Sequence, residues 1–218
     1  MKLKDYNENS RTLTPAEQRR LAHFEEVRAA RTAEGYRVTE LTVGLIKANV
    51  YALFMAVPLM IVLLAACIYF NRNSEISFSR SSLPLGMVVF FIILMILFVI
   101  HELIHGLTWG IFADDHFKNI EFGFIKEMLT PYCTCAAPLR KGQYILGALM
   151  PLIVLGIIPT VLGILFGSMF WTVIGLVMVL SAGGDILIVL KLLLWKSTAA
   201  EKRFVDHPTQ AGLVVFER

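Results

Sequence analysis

Four long apolar runs, at residues 50–70, 83–113, 145–166 and 169–195, organise this chain, and polar stretches flank and separate them. Each run is long enough for one membrane-spanning helix, which needs about 20 apolar residues. Pro58 predicts a kink in the first run. The second, at about 1.5 Å per residue, makes a helix of ~46 Å that must project beyond the hydrocarbon, tilt or break. Pro151 and Pro159 interrupt the third and free backbone carbonyls that neighbours must satisfy, which places that helix inside a bundle. Gly167-Ser168 reads as the tight turn into the fourth. Between the second and third runs, Ile120, Phe122 and Phe124 alternate with Glu121 and Gly123, a strand pattern. Residues 128–135 read as the returning strand, ended by Pro138. Before the first run, Thr14-Pro15-Ala16-Glu17 is a capping box with proline at the first helical position. Gly35 is the expected stop, and Leu21, Phe24 and Val27 make a narrow apolar stripe between them. The predicted fold is an all-α membrane bundle of about four transmembrane helices with a small cytoplasmic-side β-hairpin. Residues 1–47 are its N-terminal helical segment, 48–196 the bundle with the hairpin at 114–143, and 197–218 a C-terminal tail.

Composition agrees with that division. The chain is 56% hydrophobic and 17% charged, with mean hydropathy +0.67, which excludes a soluble domain with a large core. A net charge of +3, unevenly placed, argues against a nucleic-acid partner. Three cysteines, with Cys67 inside an apolar run, do not make a disulfide framework. No cleavable signal peptide is expected, because the first forty-odd residues are polar and the first apolar run is long enough to span. Arg11, Arg19, Arg20, Arg28, Arg31, Arg37 and Lys47 precede the first run, while Lys191, Lys196, Lys202 and Arg203 close the fourth. The positive-inside rule then puts both termini in the cytoplasm and the loop at 71–82 outside.

The candidate chemistry lies within the second run. His101-Glu102-Leu103-Ile104-His105 is an HExxH pattern, of which about 0.006 chance occurrences are expected in a chain of this composition. Two histidines four residues apart share one helix face and can hold one Zn²⁺, and the adjacent carboxylate can take a proton from water. His101, Glu102 and His105 are the only ionisable side chains from 83 to 113, and Asp185 is the only acidic or basic one from 145 to 190. Charged groups at membrane depth cost at least ~2.5–3.5 kcal/mol each, so they face a partner, a cavity or a metal. Counted from the cytoplasmic ends, His105 and His101 lie ~12 and ~18 Å deep and Asp185 ~15 Å deep. Gly183-Gly184 would let their two helices approach closely. Asp185 is the leading third ligand, with His116 and His207 as alternatives, and a metal-free ion pair or proton relay is a further reading of Asp185. Cys133-Thr134-Cys135 could bind metal, but two thiols with no second pair read better as a reduced structural pair.

These residues resemble the site-2 protease class of intramembrane zinc metalloproteases. From about residue 35 to 212, with Pro131-Tyr132-Cys133-Thr134-Cys135 and Asp206-His207-Pro208, the chain is similar to a bacterial group of small membrane zincins. The resemblance implies His101, His105 and Asp185 as zinc ligands, Glu102 as catalytic base, and a hairpin that presents substrate as an added strand. Two features depart from the site-2 pattern: Ile186, not glycine, follows Asp185, and there is no PDZ module. The expected function is a zinc metalloendopeptidase, multi-pass in a bacterial cell membrane, hydrolysing membrane-protein or membrane-bound peptide substrates. A metal-ion or proton transporter and a catalytically silent zinc-stabilised scaffold are the alternatives. The lack of an internal repeat weighs against transport.

Overall fold

The computed structural model describes residues 14–72, 83–125 and 130–218. Arg11, most of the expected loop at 71–82, and residues 126–129, with the first two residues of the expected returning strand, lie outside the described residues. Helix α1, Pro15–Ala33, starts on the expected capping box: the Thr14 hydroxyl accepts from the Glu17 backbone while the Glu17 carboxylate accepts from the Thr14 backbone. It stops before Gly35, which adopts φ +88°. Helices α2, Leu45–Phe70, and α3, Leu83–Phe112, follow the first two apolar runs, and α2 continues through Pro58.

The third run is one path in three windings: α4, Lys141–Pro151, a π-helical turn, Leu152–Ile157, and α5, Ile158–Leu165. The widened turn sits between the two prolines, where missing N–H groups break the regular ladder. The fourth run is a bent pair of helices, not one straight helix. It forms α6, Met169–Ser181, and α7, Gly183–Leu194, bent by 45° at Ala182. The physical reasons are local: the Ser181 hydroxyl turns back onto the Met178 carbonyl, and two poor helix formers, Gly183 and Gly184, follow. Among the described residues three helical paths, Lys47–Phe70, Leu85–Phe112 and Lys141–Leu165, are long and apolar enough to cross a membrane, or four if the bent pair counts as one.

Helix α2 packs on α6 and α7, α3 on α4, and α4 on α7. Strands β2, Ile120–Ile125, and β3, Thr130–Cys135, form the expected antiparallel hairpin, with Phe122 opposite Cys133, and it lies against α3. The fold is mostly helical, but not all-α. A second sheet joins the two ends of the chain: β1, Arg37–Val43, pairs with β5, Ala211–Glu217, which pairs with β4, Lys202–Asp206, all antiparallel. Central β5 is fully buried from Gly212 to Phe216, as a strand covered on both faces must be. One face takes Phe24 and Val27 of α1 against Val214 and Phe216, which uses the apolar stripe read in α1. The other, through Leu213 and Val215, joins Leu139, Tyr144, Trp109 and Leu192 of the helical core. The sheet therefore sits directly beside α4 and the HExxH end of α3.

Candidate metal centre

On α3 the HExxH spacing sorts itself by face. His101 and His105 are 6% and 4% exposed, while Leu103 and Leu107 point outward at about half exposure. Asp185, in the first turn of α7, meets the two histidines from across the bundle. His101 Nε2 lies 3.2 Å from Asp185 Oδ2, His105 Nε2 lies 3.4 Å from Asp185 Oδ1, and the two Nε2 atoms are 3.2 Å apart. Among the described residues these three form the group of ligand atoms that could hold a metal ion.

Their spacing fits zinc. Two ligands ~2.05 Å from one tetrahedral ion stand ~3.3 Å apart, and the three separations here, 3.2, 3.2 and 3.4 Å, lie close to that, with each histidine facing its own carboxylate oxygen of Asp185. The protonation pattern points the same way. His105 Nδ1–H donates to the Gly147 carbonyl at 2.9 Å, which leaves Nε2 as the ring nitrogen that faces His101 and Asp185. Two imidazole nitrogens 3.2 Å apart repel unless a proton or a cation lies between them. His101 Nδ1 is buried with no hydrogen-bond partner among the described residues, so the polar contacts of that ring run through Nε2. The His105 ring is stacked on Trp109 at 5.1 Å and 14°, and Trp109 Nε1–H donates to the Tyr144 carbonyl at 3.1 Å.

Glu102, beside the first histidine, lines a cavity of about 300 Å³ together with His105 and Asp185. Its carboxylate accepts a hydrogen bond from the Cys133 backbone, which ties it to β3. The far wall of the cavity comes from the two ends of the chain: Glu17 and Arg20 of α1, and His207 to Gly212, the β4–β5 turn with the first two residues of β5. Arg20 bridges these parts. Its Nε–H donates to the Pro208 carbonyl at 3.1 Å, Nη1 donates to the Tyr132 hydroxyl, and the guanidinium lies 4.7 Å over the Tyr132 ring.

The other candidates sit elsewhere. His116 Nδ1 is 3.3 Å from the Gly110 carbonyl, in a 3₁₀ turn after α3. His207 reaches the cavity wall, but its Nδ1 accepts the N–H groups of Thr209 and Gln210, and burial lowers its pKa, so the neutral ring caps the β4–β5 turn. Cys133 and Cys135 are free thiols; burial pushes Cys135 up to about 12 and Cys133 higher still, which suits a reduced structural pair. Asp206 had no assigned role in the sequence. Its carboxylate accepts Cys135 N–H at 2.8 Å and the Tyr144 hydroxyl, and burial raises its pKa to about 6 against those two bonds. The one sequence signal for it was the Asp206-His207-Pro208 triplet.

The glycine pair works differently from the expectation. A Cβ on Gly183 would meet the Ala52 carbonyl of α2, and one on Gly184 would meet nothing within 4 Å among the described residues. The close approach therefore fixes α7 against α2, not against the histidine helix.

Residues 94–200 match the model of a family described as "Putative zincin peptidase". The matched stretch runs from the middle of α3 past α7 and contains His101, Glu102, His105 and Asp185, so the chain is similar to zinc peptidases over the segment that builds the centre. No curated protein and no solved structure matches the chain.

Proposed function

We propose that this chain is an integral-membrane zinc metalloendopeptidase of the site-2 type, with His101, His105 and Asp185 as zinc ligands and Glu102 as general base. The observation that carries the reading is the three-donor triangle with Glu102 beside it on the wall of one cavity. When bound, zinc would supply Lewis-acid activation of a peptide carbonyl and of water. Glu102 accepts the proton of the attacking water at its carboxylate as the new C–O bond forms. It returns that proton to the amide nitrogen as the C–N bond breaks, leaving a free acid and a free amine. The Cys133 backbone N–H holds the Glu102 carboxylate on the cavity side of β3. Pro131 to Thr134 of β3 line the same cavity, so a substrate segment laid along this strand passes in front of Glu102. Three or four helical paths span the bilayer, both termini are cytoplasmic, and the cavity opens toward the cytoplasm. A cysteine placed within 73–82 should therefore react with an impermeant thiol reagent on intact cells; labelling only after permeabilisation inverts the topology.

Glu102→Gln tests the mechanism. The variant keeps the three ligands and loses the proton acceptor, so zinc per protein should stay near wild type. Cleavage of co-expressed membrane substrates should fall by about 10²–10⁴-fold, the usual worth of a positioned base. Retained cleavage removes Glu102 from the mechanism. Altered ion flux without any cleavage would support a transporter instead.

A further inference from the structure

In a regular α-helix the carbonyl of residue i accepts the N–H of residue i+4. For Gly147 the donor would be residue 151, and residue 151 is proline, which has no N–H. The following N–H, on Leu152, is directed to the Leu149 carbonyl. The Gly147 oxygen thus lacks its helical donor at the point where α4 gives way to π winding. His105 Nδ1–H takes the vacant acceptor from across the helix interface at 2.9 Å. The interface is close enough because Gly147 has no side chain: a Cβ there would lie 2.0 Å from Trp109 Nε1, on the ring that stacks against His105.

We propose that Pro151 is a positioning residue of the metal centre: by withholding an N–H, it reserves the Gly147 carbonyl for His105 and so aims His105 Nε2 at His101 and Asp185. The inference rests on the zinc-site reading and adds to it a residue that touches neither ion nor substrate. A metal-bound histidine is oriented by what its other nitrogen donates to, and loss of such a partner typically costs about 10–100-fold in metal affinity. Here the partner is a main-chain carbonyl, which no side-chain substitution removes. The donor that competes for it can be restored.

The experiment uses the full chain purified in detergent and compares wild type, Pro151→Ala and Pro151→lactate, the last introduced as the hydroxy-acid analogue of alanine. Alanine brings back the N–H; lactate has the same methyl side chain and an ester oxygen where the N–H would be. Zinc affinity is read by competition with a chromophoric chelator. The His105 Nδ1–H proton resonance is read without metal, in ¹⁵N-histidine-labelled protein. Pro151→Ala should weaken zinc binding about 10–100-fold and shift the Nδ1–H resonance upfield, while Pro151→lactate stays within about threefold of wild type. Wild-type affinity and an unmoved resonance in Pro151→Ala would overturn the proposal. Equal weakening in the alanine and lactate variants would overturn it too, because ring shape and not the missing donor would then be responsible. If wild type binds zinc no better than His101→Ala, the metal-centre reading fails; the Nδ1–H resonance then still decides whether Pro151 governs the His105 hydrogen bond.

Discussion

Gly183 and Gly184 are adjacent at the start of α7, just before Asp185, and the structure predicts opposite outcomes for the same substitution. A Cβ at Gly183 would lie 2.1 Å from the Ala52 carbonyl oxygen and 2.7 Å from its carbon. Both are backbone atoms of α2, so no side chain can turn aside. The two helices must separate by about 1 Å, and overpacking of this kind typically costs about 1–3 kcal/mol. For a chain of this size that lowers Tm by about 2–4 °C per kcal/mol. Asp185 moves with α7, and metal–ligand distances tolerate only about ±0.2 Å, so zinc affinity should fall at least about tenfold. A Cβ at Gly184 meets nothing within 4 Å among the described residues. Gly184→Ala should therefore leave zinc affinity unchanged and gain up to about 1 kcal/mol from reduced unfolded-state freedom. The assay is thermal unfolding in detergent with and without chelator, with zinc competition on both variants. Equal stability and equal zinc affinity in the two variants would refute the helix contact as the device that sets Asp185.

Two further outcomes follow from the ends of the chain. Burial raises Asp206 from the ordinary 3.8 to about 6, against the opposing pull of Tyr144 O–H and Cys135 N–H, so the folded chain keeps this proton to higher pH than the unfolded one. The corresponding stability is full below about pH 4 and is lost as pH rises through about 6, a change on the order of 3 kcal/mol. Asp206→Asn should flatten that part of the pH–stability curve, and an unaltered slope would assign it to another group. Arg20→Ala removes the donors to Pro208 and Tyr132. Hydrogen exchange in the first half of α1 should then speed up by at least about tenfold with α7 unchanged, since a bond to a charged group contributes about 1.5–3 kcal/mol. Unchanged exchange would mean that Phe24 packing alone holds the helix.

The triangle was legible because its members are chemically conspicuous. In runs of Leu, Ile, Val and Phe, each of His101, Glu102, His105 and Asp185 needs a reason to be there, and their similar distances from the ends of their runs pair them. The hairpin was legible from its alternation. The three-stranded sheet was not, although β5 carries a plain signal: Leu213-Val214-Val215-Phe216 is a continuous apolar run following Gly212, the mark of a strand buried on both faces. A run of four says that something covers it but not what. Its partners are β4, just before it, and β1, some 170 residues away in a segment that reads as polar. The glycine pair shows the same limit. Small residues before Asp185 announced a close contact, and the partner proved to be the α2 backbone at Ala52. Periodicity and residue size state which face is covered; the choice of neighbour belongs to the whole packed fold.

The stretch similar to zinc peptidases, residues 94–200, contains the three candidate ligands and Glu102, and with β3 and Tyr144 it lines the inner wall of the cavity. It does not contain the outer wall. Glu17 and Arg20 come from α1 and the remaining residues from the β4–β5 turn with the first two residues of β5, two segments at opposite ends of the chain held together by the sheet β1–β5–β4. Asp206 fastens that sheet to the inner wall at two points, Cys135 of β3 and Tyr144 of α4, and α4 is also the helix whose Gly147 carbonyl holds His105. On the peptidase reading, the wall that meets a substrate first is therefore physically distinct from the wall that carries the chemistry, and a short set of hydrogen bonds couples the two. A side chain exchanged in α1 or the β4–β5 turn can alter which peptide reaches Glu102 without moving a ligand, whereas a change at Asp206 acts on both walls at once.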